Sequence, residues 1–535
     1  MKETNSAAKG MFVLSIAGIL VKVLSVFYTP ALKSILGDKG YGMYSQTTQV
    51  FVFVYAIACM GAQPAIAKVV AELSATGSEK GALRALKISR KLYGSVAFIL
   101  ALLMVALAPI VAQKTNSPDI AYGIMALAPC VVITSILSTY RGFMQGKNNM
   151  TSIAVSQIIE QAVNIVLSLA CAYILVKASL AFGNAGAQVG TSVGALFACF
   201  YLVYCYFKNK YKHKAIEYDN GKRISDKRIL HKLIAYSIPI ILSAGLQNLG
   251  GLIDLFNVKA RLLVAGFSPT DADILYGHLG FYQTLYGVPL VIITAIGTTV
   301  LPALSKSVVL KDHKEARRKI RQGFKLIYII AIPAAIALSV ACDDVYRALT
   351  GNTNGASLMF YGSFVIVLMA TTQLQSIVLQ GINKFYYMLS TFVIGIIFKI
   401  TLNYIFVGIT DINIYGVLIG NCFWHLIPAL LNHKKIKKTM KMKLPMMKII
   451  LKLLFASALM AGTIILIKYP FSIVYRFLSP SRYLSIIFLI LSLIFGGFIY
   501  FYSMILIKGI RKQDIESISP KIIKFLPRFI RVKLK

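Results

Sequence analysis

The chain has 535 residues, of which 57% are hydrophobic and only 14% charged, and it carries a formal net charge of +38. Soluble domains run nearer about 45–50% apolar and about 25% charged, so this composition excludes a soluble globular protein and indicates a polytopic membrane protein. A charge this large in a soluble chain would suggest nucleic acid; here the basic runs lie between apolar spans with no aromatic-basic reader motif, so no nucleic-acid partner is expected.

Hydropathy predicts an all-α protein with about fourteen transmembrane helices at 11–31, 41–63, 91–112, 119–140, 150–175, 184–207, 233–256, 274–302, 323–342, 356–379, 386–408, 412–431, 449–467 and 483–507. The first run is too long for a signal h-region and no A-x-A-like site follows it, so it is expected to stay as the first span. With the N-terminus inside, Lys plus Arg divide 44 to 10 between inside and outside segments. That follows the positive-inside rule and predicts a multi-pass membrane protein with both termini cytoplasmic.

Taken in chain order, the polar residues within the spans are the informative ones. Span 1 contains GILVKVLSVFYTPAL at 18–32, with Lys22 about 16 Å along the helix and so near the bilayer midplane. A charge at that depth costs at least about 2.5–3.5 kcal/mol, which makes it a functional candidate. GDKGYG at 37–42 lacks a preceding strand and reads as a turn between spans 1 and 2. Span 4 ends in STYRGFMQGKNNM at 138–150, where Arg141 is an inner-mouth candidate. It either captures phosphate, which suits a planar guanidinium, or is a snorkelling cation at a glycine-rich helix end, which physics alone favours.

In span 5, Gln157, Glu160, Gln161 and Asn164 recur at i, i+3, i+4 and i+7 and share one helix face. That face must look into the bundle or a cavity, either as a substrate or ion site or as polar glue between helices. Glu160 lies at about the depth of Lys22 and could neutralise it. In span 7, Ser243, Gln247, Gly250 and Asp254 share a face; Asp254, Lys259 and Arg261 form an outer-mouth cluster or, more simply, a hydrated loop. Span 10 carries a milder stripe of Thr372, Ser376 and Gln380, expected to hydrogen-bond between helices. In span 11, Lys399 and Asn403 are one turn apart, and Lys399 with Asp254 would repeat the pairing of Lys22 with Glu160. His278 and His425 are isolated and expected to pack.

The chain repeats itself. GMYSQ at 42–46 resembles GFYQT at 280–284, PAIAK at 64–68 matches PALSK at 302–306, and MQGKN at 144–148 resembles LQGIN at 379–383. The near-constant offset spans six helices, an even number, so the copies share orientation. This predicts two pseudo-symmetric six-helix lobes, 1–210 and 231–433, followed by two extra helices in 446–508 and a basic cytoplasmic tail at 509–535.

Several chemistries are missing. No G-x-x-x-x-G-K-[ST] is present, so the chain carries no ATPase of its own, and no H-E-x-x-H occurs. The seven cysteines (59, 130, 171, 199, 205, 342 and 422) lie in apolar runs without a C-x-x-C, so neither a disulfide framework nor a metal site is expected. No cofactor is implied. The short, carboxylate-poor outer loops count against a membrane glycan polymerase or ligase, and the protein is not expected to be an enzyme.

Fourteen spans, the two-lobe repeat, YRGFMQG at 140–146 and LPALSKSV at 301–308 together resemble the multidrug/oligosaccharidyl-lipid/polysaccharide exporter superfamily. Within it the chain most resembles the polysaccharide-exporter branch that includes stage V sporulation proteins B and MurJ-type lipid II flippases, over about residues 9–510. The resemblance implies a flippase that moves an undecaprenyl-diphosphate-linked saccharide, a cell-wall, spore-cortex or polysaccharide precursor, from the inner to the outer leaflet by alternating access. Its implied partners are that lipid-linked saccharide and membrane lipids. VKVLSVFYTPALKSILG at 21–37 resembles the first-helix motif, in which an Arg occupies the place of Lys22. The family's second Arg is Tyr28 here, and its eighth-helix Arg falls near Thr284. Cation-coupled multidrug export, as in a sister branch, is the alternative; that branch generally uses cavity carboxylates, often on the first helix, where this chain has Lys22.

Overall fold

The computed structural model describes residues 2–211, 213, 219, 221, 224–442, 447–477 and 481–509. The basic tail beyond residue 509 lies outside the described residues, as does the side chain of Lys22 within its helix. The described residues form α1 (Lys2–Ala58), α2 (Ala62–Ala75), α3 (Glu79–Lys114), α4 (Ile120–Gly146), α5 (Met150–Leu175), α6 (Leu180–Lys208), α7 (Asp226–Val264) and α8 (Pro269–Val309). There follow α9 (His313–Val340), α10 (Cys342–Thr350), α11 (Ala356–Gly362), α12 (Val365–Gly381), α13 (Phe385–Phe406), a 3-10 turn (Asn413–Tyr415), α14 (Gly416–Met440), α15 (Met447–Phe477) and α16 (Arg482–Leu506). No strand occurs among them.

Among the described residues eleven stretches are long and apolar enough to cross a membrane, or twelve if α11 and α12, bent by 54° at their junction, make one span. The chain is an all-α, multi-pass membrane protein. All fourteen expected spans fall on helices, but spans 1 and 2 share one stretch, Val23–Ala75, and span 8, on α8, is not among the eleven. A straight helix of α1's 57 residues would measure about 86 Å, against about 30 Å of hydrocarbon. It is divided instead at Gly37, whose φ of 69° and ψ of 178° only glycine adopts readily. The expected turn is thus one glycine wide, and the helix resumes at Asp38.

The internal repeat has a structural counterpart. At the end of α4, Asn148 takes a left-handed φ of 57°, and the Asn149 amide donates back to Met144 O at 2.8 Å. At the end of α12, Asn383 takes a φ of 58°, and the Lys384 amide donates to Leu379 O at 2.7 Å. Both ends therefore close with the same six-to-one capping bond, with Asn where glycine is usual. The preceding glycine serves packing. A Cβ on Gly146 would lie 2.8 Å from Ala67 O in α2, and one on Gly381 would lie 3.0 Å from Leu304 Cδ2 in α8. Those contacts fall on PAIAK or just after it, and on PALSK, so two of the repeated motifs pack against each other in each copy.

Contacts divide the chain into two compact units, Met1–Gly280 with Asn403–Ile414, and Phe281–Leu402 with Tyr415–Lys535. In the first, α5 packs on α6 and α1, and α4 lies against α2, α3 and α6. The α5–α6 approach is set by Gly186, Gly190 and Gly194, four residues apart on one face of α6. A Cβ on Gly194 would stand 2.5 Å from Glu160 O, and one on Gly186 2.8 Å from Cys171 O. Where α1 meets α5, Tyr28, Leu32, Leu36 and Ala172 share a core cluster with Ala187 of α6. In the second unit α12 packs on α14, α9 on α12 and α15, and α16 on α10 and α15.

Candidate functional site

Arg141 is the first residue the structure reassigns. It stands five residues before the end of α4, near enough to snorkel, yet its side chain is only 9% exposed. The guanidinium turns inward instead: Nη2 donates to Glu160 Oε2 at 2.6 Å and Nε to Ser156 Oγ at 3.1 Å. Ser156 and Glu160 are one turn apart on α5, so the planar fork of the arginine spans one helical turn of its neighbour. The snorkelling expectation is corrected. A signal for the pair was available in the spacing: the turn at 147–149 makes α4 and α5 antiparallel, so residue 141 falls opposite residue 156 within one position. The length of an arginine covers the further turn to Glu160.

Glu160 keeps 27% of its side chain exposed, so the ion pair is sealed on the arginine side and open on the carboxylate side. The sequence sets Glu160 against Lys22; among the described residues its ion-pair partner is Arg141, and the side chain of Lys22 lies outside them. The rest of the α5 face divides among neighbours. Gln161 Nε2 donates to Ser25 Oγ of α1 at 3.4 Å. Asn164 Oδ1 accepts from Thr191 Oγ1 of α6 at 3.2 Å and from Ser168 Oγ at 2.8 Å. Gln157 Oε1 is enclosed without a hydrogen-bond partner among the described residues. Asn164 and Gln161 thus do the work of interhelical glue, while Glu160 holds a charge.

The other polar candidates are placed separately. In the first unit Asp254 is 1% exposed and accepts from Asn403 Nδ2 at 2.8 Å, while Gln247 is exposed and donates to Ser243 Oγ on its own helix at 3.0 Å. In the second unit Lys399 is buried, donates to Asn421 Oδ1 at 2.7 Å and lies 4.3 Å from the centre of the Trp424 ring, a cation–π contact. His425 packs beside Trp424 and shares a 3.1 Å hydrogen bond with Thr372. Of the span-10 stripe, Thr372 reaches α14 and Gln380 reaches Met388 of α13, whereas Ser376 bonds back to its own helix at Thr372 O. Gln375, outside that stripe, donates to Ala429 O at 3.0 Å.

The expected hydrated loop after Asp254 is the second correction. α7 continues to Val264, and Lys259 is wholly buried. Its ammonium pairs with Asp273 at 2.5 Å and also donates to Ser117 Oγ; Asp273 Oδ1 further accepts from Gln46 Nε2 at 2.6 Å and from Ser117 Oγ at 2.8 Å. Four segments meet there: α1, the α3–α4 turn, α7 and the start of α8. Arg261 does not join them; it lies 4.1 Å from the centre of the Tyr404 ring. The missed signal is periodicity: Leu255, Val258 and Leu262 are all buried, and Lys259 shares their face. This network lies at the opposite end of α4 from Arg141, and a Cβ on Gly277 beside it would stand 2.8 Å from Asp38 O. No cluster of three or more metal-ligating side chains occurs among the described residues.

Comparisons with known proteins agree with this architecture. A family model described as polysaccharide biosynthesis protein matches residues 7–308. Stage V sporulation protein B of Bacillus subtilis (strain 168) is 26% identical over 435 residues, covering 81% of this chain and 84% of its own length. Lipid II flippase MurJ of the same organism is 25% identical over 418 residues, covering 74% and 76%. Among solved structures, the inward-facing conformation of a multidrug resistance MATE family transporter of the MOP superfamily matches with a TM-score of 0.66 at 15% identity, over 80% of this chain and 98% of that one. The fold is that of this superfamily.

Proposed function

The chain belongs to the polysaccharide biosynthesis protein family, and we propose that it is a flippase carrying a polyprenyl-diphosphate-linked saccharide from the inner to the outer leaflet of the cytoplasmic membrane. The relatives named as a sporulation protein and a lipid II flippase support the substrate class. The observation that carries the reading is the inward-turned Arg141 guanidinium, neutralised by a carboxylate that remains partly exposed. A diphosphate presents the same bidentate acceptor geometry as a carboxylate, with more charge. It would displace Glu160 from Arg141, and the released carboxylate is then the differential contact through which substrate biases one conformation over another. Lys22, at similar depth on α1, would add a second cation.

Alternating access would operate between lobes at 1–210 and 231–433, with fourteen spans and both termini inside, as the charge partition supports. In that frame the Lys259–Asp273 network, which ties α1 and the α3–α4 turn to α7 and the start of α8, would act as a seal on the outer side. Cation-coupled drug export is the second reading, favoured by the fold likeness and by the buried Asp254 carboxylate. The two separate on ligand charge. Purified protein titrated with a fluorescent polyprenyl diphosphate is expected to bind it, and Arg141→Gln to weaken that binding at least tenfold. Binding of a lipophilic cation with no response to the diphosphate would establish the drug-export reading instead.

A further inference from the structure

A second cationic site lies away from the Arg141 pair, on the membrane-facing side of α3, α4 and α6. Arg84, Lys87 and Arg90 recur every third residue on α3 and line a cavity of about 420 Å³ whose other walls are Leu83, Leu86, Tyr140 of α4, and Tyr206 and Phe207 of α6. Among the described residues no carboxylate lines it. Arg84 is engaged at its rim by Asp226 at 3.1 Å. Lys87 and Arg90 have no carboxylate within ion-pair distance among the described residues; Arg90 donates to Tyr140 Oη at 2.9 Å and rests 5.6 Å from the centre of that ring. Both side chains are exposed, and two like charges three residues apart repel one another weakly, a cost that an anion seated between them removes.

The surroundings indicate which anion. Beyond Arg90, α3 presents Phe98, Ile99 and Leu102 outward, and α6 presents Phe200, Tyr204 and Phe207, all large apolar side chains about half exposed or more. The cavity thus sits where a lipid-facing wall ends and a basic rim begins, with aromatic side chains at the junction as at membrane interfaces. The charge tally assigns this end of α3 to the cytoplasmic leaflet, where anionic lipids gather and basic pockets between helices hold their headgroups. The volume accommodates one phosphodiester headgroup, with acyl chains running along Phe98 and Phe200.

We infer that this cavity binds the phosphodiester headgroup of an anionic phospholipid, held by Lys87 and Arg90 over Tyr140 and Tyr206. The site is distinct from the Arg141 pair and does not depend on what the protein transports. Tyr140 immediately precedes Arg141 on α4, so an occupied headgroup site braces the helix that carries the buried guanidinium.

The test is thermal unfolding of the purified full chain in detergent micelles titrated with phosphatidylglycerol, with phosphatidylcholine and inorganic phosphate as comparators. Phosphatidylglycerol should raise the unfolding midpoint saturably, and neither comparator should. Lys87→Gln with Arg90→Gln should move the half-saturation point about thirtyfold higher, given the usual worth of two basic side chains near an anionic surface. Lys437→Gln with Lys438→Gln, in a separate basic patch on α14, should leave it in place. If the Arg90 change disturbs folding through Tyr140, Lys87→Gln alone, at an exposed position, should shift half-saturation about fivefold. Equal half-saturation in the wild type and the α3 variant would overturn the inference. So would equal loss in the α14 variant, which would mean general electrostatics, or equal protection by inorganic phosphate, which would mean a soluble-anion site.

Discussion

Exchanging the charges of Arg141 and Glu160 separates a structural role for the pair from a substrate role. Removing one partner of a buried ion pair costs about 3–5 kcal/mol, because the other charge is left behind without compensation. The two ends are not equivalent. Arg141 is almost enclosed, so Glu160→Gln strands a guanidinium held only by Ser156 Oγ and neutral neighbours. Glu160 keeps about a quarter of its surface, so Arg141→Gln strands a carboxylate that water or a cation can partly satisfy. The expected cost is therefore toward the upper end, about 4 kcal/mol, for Glu160→Gln and toward the lower, about 3 kcal/mol, for Arg141→Gln. Arg141→Glu with Glu160→Arg restores the attraction and should recover most of that loss. It reverses the face offered to a ligand, because the enclosed end becomes an anion. Thermal unfolding in detergent reads the stability, and uptake of a fluorescent lipid-linked saccharide reads the function. Recovered stability with abolished transport is the expected result. Recovery of both would reduce the pair to scaffolding, and wild-type stability in both single variants would refute the burial argument itself.

Further outcomes follow from the packing. Lys259→Met leaves Asp273 in a wholly buried network without its cation and should cost about 3–5 kcal/mol; if the network is the outer seal, a cysteine at Ser117 should also become reactive to impermeant maleimide in intact cells, and an unreactive Ser117→Cys in the Lys259→Met background would contradict the seal. Gly194→Leu forces a side chain into the Glu160 carbonyl and should lower the unfolding temperature by several degrees and abolish transport; Gly462→Leu, where nothing lies within 4 Å of the added carbon, is the neutral comparison. In a background otherwise free of cysteine, Thr439→Cys, at an exposed position near the end of α14, should be labelled only after the membrane is opened, and labelling in intact cells would overturn the inside assignment of the termini.

Hydropathy reveals the helices because a bilayer leaves the backbone no other way to satisfy itself over a long apolar run. It is blind where the chain departs from a run per span. The break at Gly37 is one residue wide, and the bend between α11 and α12 falls at Ser363–Phe364, with no proline to announce it. The repeat was legible down to its capping asparagines because a helix end is a local structure that short motifs encode. Charged partners were harder. Glu160 shows on a helix face by periodicity, but its choice of Arg141 needs the antiparallel geometry of α4 and α5 and the reach of one side chain. Lys259 reads as a loop residue by its charge, although it shares a buried face with Leu255, Val258 and Leu262, and its partner Asp273 arrives from the next helix.

The central claim is that Arg141 meets the diphosphate of a lipid-linked saccharide during translocation. The measurement that bears on it most directly is the rate at which purified protein, reconstituted without nucleotide, exposes a fluorescent undecaprenyl-diphosphate saccharide from the inner to the outer leaflet of liposomes. The wild type is expected to raise that rate well above protein-free liposomes, Arg141→Lys to keep part of it, and a folded Arg141→Gln to fall to the protein-free rate. A folded Arg141→Gln protein that flips the lipid as fast as the wild type would contradict the account.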